Sequence, residues 1–224
     1  MDLLNKLLRC FYPNKCLACK KVIGADIKLC DKCEKEYSPH PSSKLGDKYL
    51  ISCAYSFYYE DKIKNTIWRF KFRNKLHYAD QFTDYMLDCY NEYYFSSMID
   101  YLVPVPMTEK KERERGYNQT VVLAEKLSSK CGVPWLRNGL VKVRETSNQH
   151  LSLTLADRRK NVKGAYAASD IIDFKNKNII IIDDVLTTGL TMYECAKMLK
   201  KAGADSVYGI TIAASGNKPL VKYR

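Results

Sequence analysis

The run Ile179-Ile180-Ile181-Ile182 constrains this chain more than any other feature. Four consecutive β-branched residues leave no polar face, so a strand built from them needs cover on both sides, as in a central strand of a parallel sheet. The surrounding pattern agrees. LISCAYSFYY (50–59), DYLVPVP (100–106), NIIIIDD (178–184) and VYGITIAA (207–214) read as strands. Between them, helices are predicted over Asp61–Phe72, His77–Tyr94, Asn118–Lys130 and Thr191–Lys201. In the first, Asp61 is the expected cap and Ile63, Ile67 and Phe70 share one face; Gly132 and Gly203 stop the last two. Strands alternating with helices define an α/β fold, a parallel sheet flanked by helices.

The isoleucines run into Asp183 and Asp184, then Leu186-Thr187-Thr188-Gly189-Leu190-Thr191 and a helix. Ligands of such sheets bind at the carboxyl ends of strands. Two neighbouring carboxylates can accept hydrogen bonds from a ribose diol. The loop leads into a helix N-terminus, where backbone N–H groups and the helix dipole cradle an anion. Gly189 permits close approach, and Thr187, Thr188 and Thr191 add hydroxyl donors. Together these describe a ribose 5-phosphate site. A strand–turn–helix with capping aspartates is the simpler alternative, outweighed by the coincidence of strand, diacid and loop.

At the amino end, Cys16-x-x-Cys19 and Cys30-x-x-Cys33 bring four thiols close in sequence. Two C-x-x-C turns make a tetrahedral sulfur site, the closed geometry of structural Zn2+. Lysines 15, 20, 21, 28 and 32 surround it and favour thiolate. Buried thiols, a redox pair or an iron–sulfur cluster are the alternatives. Cys10, Cys53, Cys89, Cys131 and Cys195 are scattered and read as small core residues. Proline, serine and glycine between Pro39 and Gly46 read as a linker. The expected division is 1–46, an N-terminal helix with a four-cysteine zinc finger and linker, and 47–224, the α/β domain. Leu3, Leu4, Leu7, Leu8 and Phe11 suggest a short packing helix, with a peripheral membrane role the less favoured reading. No signal-peptide pattern or bilayer-length apolar run is present in the sequence, so the expected location is the cytoplasm. The net charge of +12 favours polyanions or phosphorylated small molecules as partners.

The diacid loop resembles the signature of type I phosphoribosyltransferases. By that resemblance Asp183 and Asp184 are the catalytic pair that holds the ribose hydroxyls, residues 186–191 hold the 5-phosphate of phosphoribosyl pyrophosphate, and Mg2+ bridges pyrophosphate and ribose. Leu190 stands where a small residue is common and narrows the loop. VPVP (103–106) matches the family's pyrophosphate loop, followed by Arg113, Arg115, Asn118 and Gln119. Residues 143–166, with Arg144, Gln149, Arg158, Arg159 and Asn161, resemble the mobile hood.

The whole order is the paired C-x-x-C head, then RGYNQ, then Arg144…Gln149…Arg158-Arg159…Asn161, then the diacid loop. It resembles the ComF (competence protein F) family over nearly the full length. The resemblance implies a bacterial cytoplasmic protein of natural transformation, handling single-stranded DNA near the inner face of the membrane beside a competence helicase-like ATPase. An active phosphoribosyltransferase and a phosphoribosyl pyrophosphate sensor are the competing readings. Residues 57–78 interleave Lys64, Arg69, Lys71, Arg73 and Lys75 with Tyr58, Tyr59, Trp68, Phe70 and Phe72. Such mixtures suit single strands, because cations meet phosphates and rings meet bases. The i, i+4 spacing of Trp68 and Phe72 favours core placement for these aromatics, with the basic residues as the DNA candidates.

Overall fold

The computed structural model describes residues 14–24, 27–37, 39, 41–73, 75–146 and 154–216. The helix expected at the N-terminus, Cys10 and Gln149 lie outside the described residues. In chain order the elements are α1 (Asp31–Tyr37), β1 (Ser42–Leu45), β2 (Ser52–Tyr58), α2 (Asp61–Phe72), α3 (Tyr78–Tyr93), β3 (Tyr101–Pro104), α4 (Glu109–Arg115), α5 (Gln119–Cys131), β4 (Leu140–Lys142), α6 (Leu155–Val162), β5 (Tyr166–Ala168), β6 (Asn178–Leu186), α7 (Leu190–Lys201) and β7 (Ser206–Ala214).

The main sheet has the order β1-β2-β7-β6-β3. The last four of these are parallel, and the isoleucine run lies in β6, an interior strand. Its side chains alternate as the pleat requires. Ile180 and Ile182 join Phe70, Phe82, Leu123 and Leu127 on one face. Ile179 and Ile181 join Phe174, Cys195 and Leu199 on the other.

Three expectations are corrected. Residues 42–45, read as linker, form an edge strand antiparallel to β2, so the sheet is mixed. Lys44 anchors it by donating to Ser215 O at 3.1 Å and Gly216 O at 2.6 Å. Pairing satisfies an otherwise open edge of β2, which outweighs the turn-forming composition. Asp61 does not cap α2. The cap position is Glu60, whose side chain makes no capping bond, and Asp61 opens the helix at φ +40°. Finally, β6 does not end on the diacid but stays paired with β7 through Leu186. Its other neighbour stops at Pro104, opposite Ile182. Asp183 and Asp184 therefore lie where β6 has lost one flanking strand.

The 143–166 stretch is bracketed by a separate two-stranded sheet, β4 with β5, and carries α6. Thr154 and Asp157 form a capping box at the start of α6. Among the described residues no helix is long and apolar enough to cross a membrane.

Candidate functional site

Strand alternation sends the adjacent aspartates to different cavities. Asp184, 4% exposed, lines a cleft of about 1030 Å3. It accepts Lys71 Nζ at 2.7 Å and Gln119 Nε2 at 2.6 Å. Gln119 in turn accepts Arg115 Nη1 at 2.5 Å, making a chain from α4 through α5 to β6. Asn118 caps α5 through Thr120 N, and Asn118 and Thr120 both donate to Val105 O, which pins the start of α5 to the end of β3. The Arg-Gly-Tyr-Asn-Gln motif thus positions the amide that orients Asp184.

Asp183 lines a second cavity of about 30 Å3 with Thr187, Gly189, Leu190 and Thr191. That space holds about one or two waters, and it shares Val185 and Thr187 with the larger cleft. Gly189 has φ +79°, the left-handed region, and caps α7. Leu190 is buried and lines this cavity. The two carboxylates do not form a single acceptor: they straddle β6, Asp183 toward the loop and Asp184 toward the cleft.

Burial, then the charge of Asp184, raises the Asp183 pKa to about 7. A carboxylate raised in the fold holds its proton more tightly folded than unfolded. Its contribution to stability is therefore present below its ordinary pKa of about 4 and lost as pH climbs toward 7. Asp183→Asn keeps an acceptor for the Asp184 N–H, now 2.8 Å from Asp183 Oδ1. It is expected to raise the Tm of ligand-free protein by roughly 5 °C at about pH 8 and to leave it unchanged near pH 4, a shift discounted for partial solvent access. Thermal scans at both pH values check this; equal shifts at both would remove the charge argument.

Cations line the cleft. Lys64, Lys71, Lys111, Arg115 and Arg158 face it, against Glu114 and Asp184. Burial, then Lys111, lowers the Lys142 pKa, and Asp183 acts on Lys142 in the opposite sense. Lys111 and Lys142 went unnoticed in the sequence because isolated lysines give no signal there. Arg113 is 73% exposed and pairs with Glu109 at 3.2 Å. Arg144 donates to Asn161 O at 3.0 Å and Lys163 O at 2.9 Å, tying down the end of α6. Arg159 lies half-buried on α6 beside Arg158.

The basic residues of α2 separate. Lys64 and Lys71 enter the cleft, with Lys71 engaged on Asp184. Arg69 acts on Lys20 and Tyr78, toward the amino-terminal ribbon. Arg73 lies over Trp68, and Lys75 is exposed beyond the helix. Phe70 is fully buried, whereas Trp68 is 46% and Phe72 53% exposed, which corrects their core placement. The buried stripe of α2 is Ile63, Thr66, Ile67 and Phe70, and Trp68 and Phe72 lie off it.

The Sγ atoms of Cys16, Cys19, Cys30 and Cys33 all lie within 4.8 Å of one another. Cys19 and Cys30 are 3.7 Å apart, close to the S–S edge of about 3.8 Å that a tetrahedron of ~2.3 Å Zn–S bonds requires. Burial alone would raise the Cys16 pKa, but N–H groups of Cys19, Cys30 and Ala18 outweigh it and bring it to about 6. Cys30 N donates to Cys16 Sγ at 3.4 Å. Burial pushes the Cys33 thiol well up. Four sulfurs so close need a cation to be thiolates together, and the set is closed, so this is a structural zinc site. The ribbon is docked on the α/β domain. Leu17 O accepts Thr66 Oγ1 at 2.8 Å, and Lys20 Nζ donates to Thr66 Oγ1 at 3.3 Å. Burial, then Arg69, lowers the Lys20 pKa to about 8. Cys53, Cys89 and Cys195 are buried, and Cys131 is partly so.

A mixed sheet with a diacid strand end, a Thr-Thr-Gly loop into a helix and a docked zinc ribbon defines a zinc-headed protein of the phosphoribosyltransferase fold. Comparison with known families agrees. The phosphoribosyl transferase domain pattern matches residues 118–224, and the double zinc ribbon domain pattern matches residues 7–46. The chain is 28% identical over 222 residues to competence protein F of Haemophilus influenzae, covering 88% of this chain and 95% of that protein. It is 29% identical over 216 residues to competence protein ComFC of Bacillus subtilis, covering 89% and 84%. It is 32% identical over 108 residues to DNA utilization protein YhgH of Escherichia coli O157:H7, covering 48% and 46%. The chain thus joins a double zinc ribbon domain to a phosphoribosyl transferase domain and is similar over most of its length to competence protein F and ComFC.

Proposed function

We propose that this protein binds phosphoribosyl pyrophosphate with Mg2+ at the carboxyl end of β6 and serves natural transformation, handling single-stranded DNA on the cytoplasmic side of the inner membrane. The observation that carries the ligand assignment is Asp184, buried yet turned into the cleft by Gln119 and Lys71 and adjoining the Thr-Thr-Gly loop. The names of its relatives, competence protein F, ComFC and DNA utilization protein, support the process. The resemblance adds a competence helicase-like ATPase as partner and contact with the membrane periphery.

Thr187, Thr188, Thr191 and the first N–H groups of α7 take the 5-phosphate. Asp183 and Asp184 take the ribose hydroxyls from the two sides of β6. The residues fit a cation-bearing ligand, because the pair concentrates negative charge that already raises Asp183. Mg2+ supplies charge neutralisation of the pyrophosphate. Arg115, Lys111 and Arg158 line the same cleft and supply cations for that group.

A second reading is phosphoribosyl transfer to an acceptor. The cleft, at about 1030 Å3, is at the upper end of small-molecule sites of ~300–1,000 Å3, which leaves room for one. C1–O cleavage would pass through an oxocarbenium-like state, which a neighbouring carboxylate stabilises.

Titration calorimetry of zinc-loaded protein with phosphoribosyl pyrophosphate and Mg2+ tests the assignment. Saturable binding is expected, weakened about 100-fold or more in Asp183→Asn/Asp184→Asn, as befits loss of several charge-assisted bonds. Absence of binding by the unsubstituted protein would overturn it. Transformation frequency in a strain carrying the double variant then reports whether the process needs the ligand.

A further inference from the structure

Helix α2 turns two large aromatic rings away from its own buried stripe and into the cleft. Trp68 and Phe72 have ring centroids 5.8 Å apart, are about half exposed, and line the same wall as Lys64 and Lys71. The Arg73 guanidinium lies 5.4 Å from the Trp68 centroid, and that of Arg115 lies 4.6 Å from the Phe72 centroid. Tyr59 extends the wall, with Lys64 Nζ 6.0 Å from its ring.

Flat rings interleaved with guanidinium and ammonium groups recognise a planar heteroaromatic that carries negative charge. The position narrows the class further. The cleft holds five cationic side chains against Glu114 and Asp184, and Lys71 already neutralises Asp184. A docking protein segment would favour a broader apolar surface with a mixed-charge rim. Neither matched family pattern, 7–46 or 118–224, reaches α2.

We propose that Trp68 and Phe72 form a stacking platform for a nucleobase, so that a nucleotide or a single-stranded end enters the cleft with its base on α2 and its phosphates on the surrounding cations. The DNA contact then belongs to the mouth of the sugar-phosphate cleft, not to the outer basic face of α2. What lies beside the base rests on the reading under Proposed function; the platform rests on α2 alone.

The chain has two tryptophans, so Trp135→Phe leaves Trp68 as the sole indole reporter. This zinc-loaded full-length variant is titrated with short oligothymidylate, an abasic strand of equal length and thymidine monophosphate, following indole emission. Oligothymidylate is expected to quench, and the abasic strand is expected not to. Adding Phe72→Ala should weaken oligothymidylate about tenfold without altering the abasic strand. Quenching by the monophosphate as well identifies a general nucleotide site; quenching by the strand alone identifies a DNA site. Either supports the platform. Equal quenching by the abasic strand, unchanged oligothymidylate affinity in Phe72→Ala, or no quenching by any of the three would overturn it, the last pointing to a protein partner for the rings. With Asp183→Asn/Asp184→Asn added, retained quenching beside lost phosphoribosyl pyrophosphate binding shows that the two assignments fail or stand separately.

Discussion

Removing zinc should lower the Tm of this protein by roughly 10–20 °C, because the metal holds a ribbon that is part of the main core. Cys16, Leu17, Leu29 and Cys33 are almost fully buried and pack in one cluster with Ile63, Phe70 and Phe82. If the ribbon opens, α2 and α3 lose the cover of that face, and Thr66 loses its bonds to Leu17 O and Lys20 Nζ. Uncovering several such side chains, each worth about 1.5–3 kcal/mol, gives a loss of about 5 kcal/mol or more. Cys33→Ser should behave like chelation, since one missing ligand leaves three crowded thiolates and an incomplete tetrahedron. Calorimetric scans of chelated protein, with metal content verified, check the effect. A Tm within ~2 °C of the zinc-loaded protein would make the ribbon an appendage whose packing contributes little. A lesser change should be seen in the cleft, because Lys71 and the aromatic wall ride on the same helix α2.

The long, strongly patterned elements were legible in the sequence. Asp61–Phe72 matches its predicted span, and the isoleucine run sits inside the sheet because four consecutive β-branched residues have no other stable place. Zinc ligands were legible because C-x-x-C spacing carries its own geometry. Short polar elements were not: β1 is SSKL, and α4 buries no side chain, so tertiary contact decides both. Trp68 and Phe72 show where a rule misled. Their i, i+4 spacing mimics a core stripe, yet Ile63, Ile67 and Phe70 already define that stripe, and Trp68 falls one residue, about 100° around the helix, past it. The same accounting applied to β6 separates Asp183 from Asp184, since adjacent strand residues face opposite ways. Pairing of Lys71 with Asp184 joins segments far apart in the chain, and no local pattern announces it.

That pair carries the second large prediction. Lys71→Met should destabilise the ligand-free protein by about 3–5 kcal/mol near neutral pH, because it strands the Asp184 carboxylate in a nearly dry position. The Asp184 side chain is 5% exposed and that of Lys71 21%. Burial alone would lower the Lys71 pKa, but the charge of Asp184 and its hydrogen bond overcome burial and raise it, so the ammonium is locked on. After substitution Asp184 keeps the Gln119 amide but no counter-charge. The cost of a stranded carboxylate disappears once acid protonates carboxylates, so the deficit should shrink toward zero below about pH 4. Removing both charges in Lys71→Met/Asp184→Asn should recover most of the loss, giving strong non-additivity. Lys71 is thus the counter-ion that the fold itself supplies to Asp184. Adding Mg2+ to zinc-loaded, magnesium-free protein should accordingly raise the Tm of Lys71→Met more than that of the unsubstituted chain. Equal Tm for both chains in the absence of Mg2+ would show instead that Gln119 alone suffices to hold the Asp184 charge, and that α2 is not electrostatically tied to the strand end it faces.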